Sequence, residues 1–107
     1  MEYRTELVCS VDAIPQSERA AHFALLSNLF RHYAQERCDV PHGYRFRFPS
    51  DTFEKLTLFV SRERNCCPFL TFSFTVTPAG GPVWLEMTGP EGTREFLAGE
   101  LPGISTD

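Results

Sequence analysis

Cys66 and Cys67 are adjacent in the run Glu63-Arg64-Asn65-Cys66-Cys67-Pro68-Phe69, where a helical pattern gives way to an aromatic strand. Neighbouring thiols at such a junction leave three options: capture of a soft metal or metalloid, thiol redox work, or two buried hydrophobes that contain sulfur. The thiolate is the reactive form of cysteine, and a helix N-terminus stabilises it. This pair falls at a helix C-terminus, where the backbone dipole disfavours negative charge. Arg62 and Arg64 offset part of that penalty, while Glu63 adds to it. The Cys-x-x-Cys spacing of dithiol oxidoreductases is absent, and a disulfide between neighbours would close a strained ring. A soft ion meets less resistance, because thiolates select it and the ion itself drives their deprotonation. Structural zinc wants four ligands, and no second Cys/His pair has zinc-finger spacing. Cu(I), Hg(II) and As(III) therefore rank ahead of Zn(II) as candidates.

Further ligands are sought by the direction of each element along the sheet. If a first strand runs upward, its helix descends, the next strand rises and the second helix descends again. Cys66, Cys67, Cys38, His42 and the run Gly89-Pro90-Glu91 then share the lower end, and Cys9 lies toward the upper end. On this argument the vicinal pair recruits Cys38, His42 or Glu63 before Cys9. Each residue also has a plainer reading. Cys9 alternates with core positions and fits a small buried hydrophobe, remote from the pair. Cys38 fits a polar turn, and His42, between Pro41 and Gly43, fits a turn residue. His22 and His32 are ten residues apart on one helix and cannot form an i, i+4 metal pair.

The elements that position these residues follow from periodicity. Residues 3–11 alternate as a strand. Pro15 opens a helix whose stripe is Phe23, Leu26, Phe30 and Tyr33, fading between Glu36 and Asp39. Tyr44, Phe46 and Phe48 alternate with Arg45 and Arg47 in a half-buried strand that Pro49 ends. Asp51 and Glu54 resemble a capping box, so a second helix starts at Thr52, buries Phe53, Leu56 and Val60, and stops by Cys66 ahead of Pro68. Strands over about 70–77 and 82–88 flank the turn Pro78-Ala79-Gly80-Gly81-Pro82, and a short helix covers about 91–98, with a loose tail after about residue 99. The order β-α-β-α-β-β-α predicts an α+β fold, a four-stranded sheet with helices packed on one face. Trp84 then lies on the open face beside Arg45, Arg47 and Glu86, either as an isolated exposed residue or as the centre of a homodimer surface.

At 107 residues and 42% hydrophobic content the chain suits one domain with one core. A net charge of −4 argues against nucleic-acid binding, which relies on Lys/Arg neutralising phosphates. No apolar run approaches the roughly 20 residues that span a bilayer, and Met1–Glu6 lacks a signal-peptide layout. The expected compartment is the cytoplasm, where thiols stay reduced, so the four cysteines do not read as two structural disulfides.

The motif Glu63–Phe69, with Tyr44–Pro49, Gly81–Leu85 and Thr88–Gly92, resembles a group of small bacterial proteins of about this length that carry Glu-Arg-x-Cys-Cys-Pro-Phe. The resemblance covers nearly the whole chain and implies a single domain, but no mechanism. Cys38 and His42 are not part of it. The sequence reading is a small domain that binds a soft metal or metalloid through Cys66 and Cys67, with Cys38 or His42 as a third ligand. Its rivals are a thiol enzyme in which Cys66 attacks and Cys67 or Cys38 resolves, and an interaction module with structural cysteines.

Overall fold

A computed structural model describes residues 7–102. Helix α1 (Gln16–Asn28) runs into a π turn over Leu29–Tyr33 and is followed by strands β1 (Glu36–Val40) and β2 (Gly43–Phe48). Helix α2 (Phe53–Cys66), strands β3 (Thr71–Val76) and β4 (Val83–Thr88), and helix α3 (Thr93–Glu100) complete the domain. The strands form one antiparallel sheet in the order β1-β2-β4-β3. β2 and β3 are therefore parallel, joined through α2, with β4 inserted between them.

Alternation decides the two faces. Tyr44, Phe46 and Phe48 of β2 and Val83, Leu85 and Met87 of β4 are buried, while Arg45 is exposed and Arg47, Trp84 and Glu86 are half-buried. All three helices pack on the apolar face, giving the expected α+β arrangement. Phe30 anchors it, meeting Phe46, Phe48 and Phe59 edge-on at centroid distances of 5.0, 5.6 and 5.4 Å. Such contacts are worth roughly 0.5–1.5 kcal/mol each beyond their buried area. Trp84 does lie on the opposite, open face, with Arg45 4.7 Å and Arg47 5.9 Å from its ring centre.

The sequence reading needs correction at the N-terminal half. The fourth strand is Glu36–Val40, not residues 3–11: of that segment, residues 3–6 lie outside the described residues, 7–10 form no strand and Val11 opens a 3₁₀ turn. β1 closes a two-residue hairpin with β2, Val40 pairing with Gly43 across Pro41-His42. Proline followed by a residue at positive φ (His42, 59°) has the chemistry of a type II turn. Local pairing across this turn outweighed the helical reading of Glu36–Asp39. Helix α1 also presents a different face. Phe23 is 43% exposed, and the buried positions are His22, Leu26, Leu29 and Phe30. The π turn, closed by Ala34 N–H to Leu29 O at 2.9 Å, adds a residue and lets the neighbours Leu29 and Phe30 both face inward. At α2 no side-chain cap forms, and a single 3₁₀ turn, Ser50–Thr52, precedes a helix that begins at Phe53, which is 36% exposed rather than buried.

Candidate functional site

The apolar stripe of α2 reads Leu56, Phe59, Glu63 and Cys66, all buried. A carboxylate at a core position of an amphipathic helix needs partners, and it has two neighbours. Glu63 Oε1 accepts a hydrogen bond from His22 Nε2 on α1 at 2.8 Å. Its Oε2 lies 3.6 Å from Cys67 Sγ. The His22 ring is fully buried and stacked on Phe59, 5.7 Å between centroids and 8° from parallel. The other ring nitrogen, Nδ1, is buried and has no hydrogen-bond partner among the described residues.

The last turn of α2 ends against the N-terminal segment. Ser10 N–H donates to the Cys66 carbonyl at 2.7 Å, satisfying one of the orphan carbonyls of the helix end. Cys67 leaves the helix with φ −120° and ψ 79°, geometry that the following proline favours. That departure turns its side chain toward Cys9, and the two are joined in a disulfide with Cα atoms 4.4 Å apart. Cys66 remains a free, buried thiol. The three sulfurs of Cys9, Cys66 and Cys67 all lie within 4.8 Å of one another. Burial pushes the Cys66 thiol above its ordinary range, the carboxylates of Glu63 and Glu100 push it further, and the Ser10 backbone contact opposes them. Glu100, at the end of α3 and largely open to solvent, has its carboxyl raised by partial desolvation and then by Glu63.

The sequence placed Cys9 at the far end of the sheet, remote from the vicinal pair; it is bonded to Cys67. The error follows from the misplaced first strand, because an irregular segment can fold back across the end of α2 where a rising strand cannot. Cys38 and His42 lie outside the three-sulfur cluster. Cys38 sits on edge strand β1 opposite Arg45, its sulfur 3.6 Å from Glu36 Oε2. His42 does share an end of the sheet with Gly89 and Glu91, as the direction argument held. Gly89 N–H donates to His42 O at 3.2 Å, and His42, Glu91, Arg94 and Glu95 line a cavity of about 400 Å³. Arg94 bonds the Val40 and Gly43 carbonyls, tying α3 to that turn.

Sequence reasoning named Glu63 among the residues the vicinal pair recruits, and it missed His22. For Glu63 a signal existed, its position on the stripe with Leu56 and Phe59. For His22 there was none, since the two are 41 residues apart. No family model matches the chain, and no curated protein or solved structure compared with it matches either. No helix among the described residues is long and apolar enough to cross a membrane.

Proposed function

We propose that the protein captures a soft metal or metalloid ion with the sulfurs of Cys9, Cys66 and Cys67. One observation carries this reading: three sulfurs gathered within 4.8 Å from two segments far apart in sequence. Three thiolates each about 2.3 Å from a shared ion would stand roughly 4 Å apart, so small side-chain movements suffice once the disulfide opens. The Cys9–Cys67 disulfide is the oxidised, closed form of the site. Two thiols of a cellular reductant open it, giving two protein thiols and one small-molecule disulfide, as the reducing cytoplasm favours. The ion then supplies the driving force for forming buried thiolates.

The geometry favours this reading over a thiol enzyme. A fast nucleophile needs an accessible thiolate, whereas Cys66 is 3% exposed, faces two carboxylates, and has Arg64 turned to solvent. Its neighbour Cys67 is already committed to Cys9.

The test is calorimetric titration of the reduced protein with Cu(I), Hg(II) and As(III). Cys9→Ser, Cys66→Ser and Cys67→Ser should each weaken binding about a hundredfold or more, since each removes one arm of a chelate. Cys38→Ser and His42→Ala should leave it unchanged. Equal affinity in the wild type and a variant lacking all three cluster cysteines would sink the proposal.

A further inference from the structure

Resting on the three-sulfur reading, we infer that the ligand class is a trivalent metalloid hydroxide, arsenite or antimonite, in preference to divalent or monovalent soft ions. Two independent features point there. The first is ligand number. Among the described residues three sulfurs lie within 4.8 Å of one another, and the Glu63 carboxylate, 3.6 Å from Cys67 Sγ, is not part of that group and is already hydrogen-bonded to His22. Tetrahedral zinc-like ions want four donors, whereas a trivalent metalloid is complete with three, its lone pair filling the remaining direction.

The second is charge. Three thiolates sum to zero with a trivalent centre, to −1 with Cd(II) or Hg(II), and to −2 with Cu(I). Cys66 and Cys67 are 3% and 0% exposed, so net charge left in the site carries a desolvation cost. The surroundings worsen it. Helix α2 contributes Glu63 and α3 contributes Glu100, and α1 contributes His22, already hydrogen-bonded to Glu63. Two arginines of the flanking helices are paired with other carboxylates: Arg62 of α2 with Glu18 at 3.4 Å and Arg19 of α1 with Asp12 at 3.6 Å. A neutral complex is the one this pocket penalises least.

The chemistry balances without redox change. After reduction of the disulfide, As(OH)₃ meets three thiols. Three As–O and three S–H bonds break, three As–S bonds form, and three waters leave. Sulfur and arsenic keep their oxidation states.

The experiment titrates protein reduced with a phosphine, then freed of it, with sodium arsenite and with cadmium chloride. The reference is an unstructured peptide with three exposed thiols. Native mass spectrometry should show one arsenic per chain with three protons displaced, and alkylation should then label Cys38 alone. The preference for arsenite over Cd(II) should exceed that of the peptide at least tenfold. Glu100→Gln, at an exposed position, should tighten Cd(II) binding roughly threefold to tenfold and leave arsenite unchanged. A preference no greater than the peptide's, with cysteine-dependent binding intact, overturns the metalloid assignment and leaves the three-sulfur reading standing. Binding of neither ion through the cluster cysteines overturns both.

Discussion

Glu63 links the sulfur cluster to helix α1 through two contacts. Its carboxylate accepts from a fully buried histidine and lies against a cluster sulfur. Glu63→Ala therefore leaves the His22 Nε2–H buried without an acceptor, at a cost of about 1–3 kcal/mol. For a domain of this size that corresponds to a fall in Tm of roughly 4–8 °C per kcal/mol. Replacing both residues, His22→Leu with Glu63→Leu, should recover most of the loss, because no unpaired polar group remains. Thermal unfolding followed by circular dichroism tests this, and a double variant as unstable as the single one would contradict it. The Cys66 thiol makes a second residue-level prediction. Its pKa is raised by burial and by the two carboxylates, so the native state holds this proton more tightly than the unfolded chain. The associated stability is present at neutral pH and declines as pH rises past about 8.5, where an exposed thiol ionises. Urea unfolding of the oxidised protein at pH 7.5 and 9.5 should show an alkaline loss that Cys66→Ala reduces.

At the scale of elements, the N-terminal segment is held by one covalent and one hydrogen bond to the end of α2. The disulfide spans 58 residues, and on the chain-entropy account a loop of that size is worth about 4 kcal/mol. Reduction, or Cys9→Ser, should lower the unfolding free energy by up to that amount in urea titrations. The Ser10 amide, bonded to the Cys66 carbonyl, should lose hydrogen-exchange protection first. Reduction thus loosens the segment that carries one of the three sulfurs, linking site opening to stability. Helix α1 offers a separate check on its true inward face. Leu26→Ala should cost about 2–5 kcal/mol as a cavity in the core, whereas Phe23→Ser, at a position 43% exposed, should cost far less. Comparable losses at both positions would mean the helix is rotated from the orientation described.

For the molecule as a whole, the open sheet face bears on association. Two guanidinium groups cover the Trp84 indole from within one chain, so partial shielding of this tryptophan requires no second copy. Its emission should stay constant on dilution across the micromolar range. A red shift accompanied by a fall in sedimentation coefficient would instead identify this face as a dimer surface.

Much of the architecture was legible before any coordinates. The strands at 43–48, 70–77 and 82–88, the α2 boundary near Cys66 and the placement of Trp84 follow from period-2 alternation and from proline, which are properties of neighbouring residues. The vicinal pair was legible for the same reason. What lay beyond the sequence were juxtapositions across long separations: Cys9 with Cys67, His22 with Glu63, and Glu36–Val40 as an edge strand rather than a helix end. Local preference in those segments is weak or ambiguous, and the deciding terms are non-local. One is a hairpin partner supplied by β2, another a buried carboxylate that draws a histidine inward. The third is a helix end whose free carbonyl captures the Ser10 amide, so that the third sulfur reaches the site only when the chain folds back on itself.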